Sequence, residues 1–174
     1  MKVTRANLIK ADIEQPDLLI TDLLENYKID LKDLLNVRTF LDHNRIRKMQ
    51  KHVINDRVSH STGALAHRGD RISNNLVEDN LLEHLIKWSP CVRKFGLLMI
   101  ELHTIAPNLT AANLGKTAAT AYDVAHGFSD QYIVKIPVLH KIAAEAGVYP
   151  DINFFRRFPD SPIATVSINL LKGV

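Results

Sequence analysis

The stretch that most constrains this chain is Phe95-Gly96-Leu97-Leu98-Met99-Ile100-Glu101-Leu102-His103. A nearly unbroken apolar run of this length reads as a strand buried on both faces, which requires helices above and below it. It ends in two polar groups, Glu101 and His103, at its carboxyl end. A second run, Asn36–Arg45 (NVRTFLDHNR), repeats that arrangement with a strand over Val37–Leu41 followed by Asp42, His43, Asn44 and Arg45. In an open α/β sheet, ligands bind at the carboxyl ends of the strands, so both ends are candidate sites. A strand that simply runs into a polar turn, with Asp42 as the cap of the next helix, fits the second run equally well.

Helical periodicity fills the space between. Leu8–Ala11 reads as a short first strand ending at Asp12, and Pro16 opens a helix through about Glu25 with Leu18, Leu19, Leu23 and Leu24 inward. Strand, helix and strand then predict a right-handed parallel unit. A polar helix is expected over 46–59 and a loop over Ser61–Asn75. Asn75 caps a helix whose Val77, Leu81, Leu85 and Trp88 share one face, and Ser89-Pro90 ends it. The segment 104–131 is a long insertion of the kind that covers an active site. Tyr132–Ile136 alternates like a strand, Pro137 starts a helix that Gly147 stops, Phe154–Pro162 is a turn with aromatic anchors, and Ala164–Leu171 is a final strand. Five strands interleaved with helices, the last two forming an antiparallel edge, make one domain over 1–174. The expected architecture is an α/β, Rossmann-like, mostly parallel sheet.

What such a sheet needs for a nucleotide is missing. The seven glycines are never closer than six residues apart, so no Gly-x-Gly-x-x-Gly turn exists. The amino-terminal glycine-loop half of the expected fold is therefore absent from this chain. One cysteine, Cys91, excludes a disulfide framework and a cysteine-rich zinc site. No apolar stretch is long enough to span a bilayer and no signal peptide is visible, so the cytoplasm is the expected location and no membrane partner is expected. The net charge of +3 is small, its basic residues are scattered, and no aromatics interleave with them, which argues against nucleic acid.

The strings LIKADIEQPDLL, VRTFLDHNR, the long HRGDRISNNL…HTIAPNLTAANLGKTAATAYDVAHGFSDQY and FPDSPIATVSINLLKG together span nearly the whole chain. They resemble the carboxyl-terminal part of the class I S-adenosylmethionine-dependent methyltransferases related to polyketide synthase loading modules, of the apratoxin type. The resemblance implies carbon methylation of a malonyl-type acyl group held on an acyl carrier protein. It also implies S-adenosylmethionine as methyl donor and a single iron or manganese ion beside it, with His43 and Gln131 as the corresponding metal ligands. A mononuclear ion of that kind accepts imidazole and carbonyl oxygen and stabilises an enolate as a Lewis acid.

The remaining candidates rest on position. Asp12, with Ile13 beside it, follows the first strand, where the resemblance implies a contact with adenine, or it caps the helix ahead of Pro16. Asp42 lies at the cofactor or orients His43, or caps the next turn. His126 and Asp130 flank Gln131 and serve as proton-transfer groups or replace it as ligand. His103 and Tyr122 face the substrate, or the first is satisfied by backbone and the second is packing. Without its glycine loop the chain is expected to be a truncated or split enzyme: it associates, as a homo-oligomer or with a complementing amino-terminal methyltransferase chain, or it is a non-catalytic remnant that binds acyl groups or metal, or it is an excised piece whose function belongs to a parent enzyme.

Overall fold

A computed structural model describes residues 7–45 and 58–173. Its main sheet has five strands: β1 (Asn36–Thr39), β4 (Leu97–Leu102), β5 (Val148–Pro150), β6 (Arg156–Phe158) and β7 (Val166–Gly173). The order is β1-β4-β7-β5, with β6 also pairing β7. Among the described residues only β1 and β4 pair in parallel, Val37 opposite Leu98 and Thr39 opposite Ile100. β7 runs antiparallel to β4, β5 and β6. The expectation of a mostly parallel sheet is thus corrected: one long reversed strand, β7, sits inside the sheet and makes most of its pairings antiparallel.

The apolar run does form the strand it predicts, with Leu97 and Met99 fully buried. Gly96 precedes it at φ +97, a left-handed conformation where an added Cβ would lie 3.0 Å from the Leu171 carbonyl oxygen. Two other expected strands are absent. Residues 8–11 are irregular, with Leu8 wholly exposed, so no parallel unit joins them to β1. Residues 132–135 are extended without a ladder partner, and a hydrogen bond from the His103 ring to the Val134 carbonyl holds them instead.

Among the helices, α1 (Pro16–Asp22) widens into a π-helical turn over Leu23–Tyr27 that Lys28 stops at φ +57. Leu23 is buried and Leu19 packs on the core, whereas Leu18 and Leu24, expected inward, are exposed. One stripe of a short helix reaches the core, and these two lie off it. The helix expected over 46–59 lies outside the described residues up to 57. The expected loop over Ser61–Asn75 contains a hairpin, β2 (Leu65–His67) and β3 (Asp70–Ile72), turned by Arg68 and Gly69, both at positive φ as a two-residue hairpin turn requires.

Next comes α2 (Asn74–Val92), in which Val77, Leu81, Leu85 and Trp88 are buried as the spacing predicts. It continues past Pro90, at the loss of one i→i−4 backbone hydrogen bond, because Cys91 and Val92, each 1% exposed, anchor that turn in the core. The insertion folds as α3 (Pro107–Ala112) and α4 (Ala119–Gly127). Finally α5 (Ile136–Glu145) carries Pro137 in its first turn and is followed by Gly147 at φ +79. Val138, Leu139, Ile142 and Ala143 of α5 join the α2 residues and Leu97, Met99 and Leu171 in one core.

β1 is the sheet's edge. Around it Leu34, Leu35, Val37 and Leu41 are exposed, 56% in the case of Val37. No helix among the described residues is long and apolar enough to cross a membrane.

Candidate functional site at the carboxyl ends of β1 and β4

The chain leaves β1 through Phe40, at φ +55, and turns sharply so that Asp42 and His43 fold over the end of β4. Glu101, near the end of β4, holds that turn. Its Oε2 accepts the backbone N–H groups of Asp42 at 3.0 Å and His43 at 3.1 Å. Its Oε1 accepts the N–H of Leu102 at 2.8 Å and faces Nδ1 of His43. Glu101 and His43 are both buried.

Beside the His43 ring lies that of His126 from α4, with centroids 5.4 Å apart and the planes at 62°. Nδ1 of His126 donates to the Tyr122 carbonyl at 2.7 Å, the i−4 position of its own helix, so Nε2 is its remaining lone pair. Gln131 reaches the same place: its amide nitrogen donates to the carbonyl of Asn44, next to His43, at 3.1 Å, which leaves the amide oxygen as an acceptor. His43 and His126, from separate stretches of sequence, are brought together, and Gln131 is tied to the backbone of the residue that follows His43. Among the described residues no three His, Cys, Asp or Glu side chains gather into a metal-holding group, so the donor set here is two imidazoles and an amide. That set has the chemistry a single iron or manganese ion accepts, and a histidine whose Nδ1 is held by a carboxylate is oriented as metal-ligating histidines are.

A cavity of about 420 Å³ opens beside His126. Its walls come from the hairpin (Ala64, Leu65, Ala66), from α3 (Thr110, Ala111) and from α4 (Thr120, Asp123, His126). The walls carry no lysine or arginine, and Asp123, unremarked in the sequence, has its carboxyl pushed up by loss of solvent, an effect that Thr104 and His126 partly offset. Only the fold could reveal Asp123 and give Glu101, already marked as a strand-end polar group, its role, because the partners that define them lie on other elements.

The other candidates are placed elsewhere. Asp130 binds Arg68 through both oxygens, Nε at 2.7 Å and Nη2 at 2.6 Å, in an outward-facing pair that clamps the hairpin to the 127–132 turn. The hydrogen bond from Arg68 lowers the Asp130 carboxyl, so it is a fixed acceptor rather than a proton-transfer group. Tyr122 does not line the cavity; its contribution to the site is the backbone carbonyl that orients His126. His103 is fully buried with both ring nitrogens engaged: Nδ1 donates to the Val134 carbonyl at 2.9 Å and Nε2 accepts from Ser167 Oγ at 2.6 Å. Burial holds it down to about 4, hence neutral. It ties the strandless 132–135 segment to the sheet and has no nitrogen left for a substrate.

The three cofactor candidates do not form an open nucleotide site. Asp12 accepts from the Glu14 N–H and the Gln15 side chain, each at 2.9 Å, inside its own turn. Ile13 gives its carbonyl to the Trp88 indole N–H at 2.8 Å. Asp42 is buried against Arg38 and His84, both at 2.9 Å, and the Arg38 guanidinium lies 3.8 Å over the Trp88 ring. Burial would raise the Asp42 carboxyl, but the His84 hydrogen bond and the Arg38 charge outweigh it and hold it low. Among the described residues, then, Asp12, Ile13 and Asp42 are each engaged by neighbouring groups of the protein.

Comparison with known proteins agrees with the resemblance carried by the sequence strings. Curated proteins offer no match to this chain. A family described as the AprA MT2-like domain matches residues 2–169, nearly the whole chain. This chain therefore belongs to the AprA MT2-like domain family of methyltransferases, a family of the polyketide synthase type that implies the use of S-adenosylmethionine.

Proposed function

We propose that this chain is the acyl-binding part of a carbon methyltransferase that acts on a malonyl-type acyl group in polyketide-type biosynthesis. The observation that carries the reading is the meeting of His43, His126 and Gln131 beside a cavity walled mainly by small and apolar side chains. His43, His126 and Gln131 are the residues that would hold a single iron or manganese ion, which when bound supplies Lewis acidity to a 1,3-dicarbonyl. The chain's own contribution is to fix two imidazole lone pairs and an amide oxygen in one place and to enclose the acyl group between the hairpin and the 104–131 insertion. The methyl donor is then bound with residues outside this sequence. Among the described residues no strand pairs the outer edge of β1, and Leu35, Val37 and Leu41 are exposed around it, which supports such an association, since an exposed strand edge flanked by apolar side chains is a pairing surface.

The test is elemental analysis of the purified protein alongside His43→Ala. Iron or manganese in the first and its loss in the second is expected; no metal in either removes the ligand assignment. Calorimetry with S-adenosylmethionine decides the division of labour: no binding by the chain alone is expected, and binding would refute it. A second reading, a non-catalytic acyl- or metal-binding accessory protein, is favoured by the lack of a glycine-rich turn. It would be selected if no second chain restores methyl transfer.

A further inference from the structure

Glu101 is engaged far more heavily than a strand-end carboxylate needs to be. One carboxylate, 5% exposed, meets three backbone N–H groups, those of Asp42, His43 and Leu102, and the His43 ring. Three N–H donors converging on it make its oxygens acceptors, so the ring nitrogen that faces it is the one bearing hydrogen. The imidazole is thereby left with its lone pair on Nε2. In water a neutral imidazole prefers the opposite tautomer, so this choice is imposed by the protein.

We infer that Glu101 is the positioning residue of the site: it fixes His43 as the Nδ1–H tautomer and, through the same carboxylate, fixes the turn that carries His43. The two tasks are joined because both backbone N–H groups of the turn share one oxygen while the ring takes the other. A carboxamide in its place would keep its oxygen on the pair of backbone N–H groups and turn its NH₂ toward the ring, so the ring nitrogen would meet a donor where it now meets an acceptor. Aspartate keeps the charge but is one methylene short of the turn. This rests on reading His43 as a residue of the site, yet it concerns the protein alone and does not depend on methyl transfer or on metal.

The experiment is a long-range proton–nitrogen correlation spectrum of the full chain with labelled histidines, recorded metal-free at about pH 8, above the ordinary imidazole range. His43 is assigned by the signal missing from His43→Gln. In the wild type the His43 pattern is expected to be that of hydrogen on Nδ1 with a bare Nε2. In Glu101→Gln it is expected to lose that pattern in favour of the Nε2–H form, with His126 unchanged, and Glu101→Asp is expected to restore it in part. A wild-type ring with hydrogen on Nε2, alone or on both nitrogens, overturns the inference, as does a Glu101→Gln spectrum identical to wild type. Should Glu101→Gln fail to fold, the wild-type spectrum by itself still decides. An Nδ1–H ring in a protein that never binds metal or acyl group would sustain the positioning role and refute only the proposed methyltransferase function.

Discussion

Lowering the pH should weaken this fold through His103, and by a predictable amount. The ring is fully buried and neutral, donating to the Val134 carbonyl and accepting from Ser167. Its pKa is held at about 4, against an ordinary 6.5. The unfolded chain takes up a proton as pH falls through about 6.5 while the folded chain does not, so stability is lost progressively from there down to about 4 and the loss then levels off. A gap of about 2.5 units corresponds to about 3 kcal/mol at most. His84, also lowered by burial, contributes in the same direction, so the variant His103→Gln, which can both donate and accept, isolates the His103 share. Asp42 adds to the loss as pH falls through the ordinary carboxylate range of the unfolded chain, near 3.8, because its folded carboxyl is held lower and stays ionised there. The assay is urea denaturation at pH 7 and about pH 4.5. Wild type should lose roughly 2 to 3 kcal/mol more than the variant across that interval. Equal losses in the two proteins would refute the account of His103 as a buried neutral ring.

Three further outcomes rest on the same packing. Arg38→Ala leaves Asp42 buried without its guanidinium and bares one face of Trp88, and should cost about 3–5 kcal/mol in denaturant unfolding. Leu85→Ala, at a 1% exposed position where α2 meets the core, should cost about 2–5 kcal/mol in the same assay, with the site contacts intact. Gly96→Ala forces a side chain into a left-handed conformation against the Leu171 carbonyl, and should lower the thermal midpoint more than an alanine substitution at Gly115, whose added Cβ meets nothing within 4 Å.

The parts of this fold that read from sequence are those whose signal is local. The apolar run at β4, the helical spacing of Val77, Leu81, Leu85 and Trp88, and the proline and glycine bounding α5 each state their own structure. The strand at 8–11 failed because an extended run becomes a strand only if a neighbour offers a ladder. The final strand illustrates the limit on a finer scale. Its sequence puts Val166, Ile168 and Leu170 on an apolar face, yet the opposite residues Ser167, Asn169 and Leu171 are the fully buried ones. Two polar side chains can occupy that interior because His103 and His140 bond them, His140 Nε2 donating to Asn169 Oδ1 at 2.7 Å. Nothing near 166–171 in the sequence announces partners 29 and 64 residues away.

The same division holds at the site. By itself the sequence determined the absence of a glycine-rich turn and the family resemblance, and that resemblance made candidates of His43 and Gln131, with His126 near Gln131 in the chain. Only the tertiary structure decided which candidates meet. It drew His126 and Gln131 onto His43, committed Asp130 to Arg68 and His103 to Ser167, and revealed Glu101 as the group that turns the His43 ring. The physical reason is that a side chain's chemistry is set by what its polar atoms bond, and in a folded chain those bonds are made with residues far away in sequence.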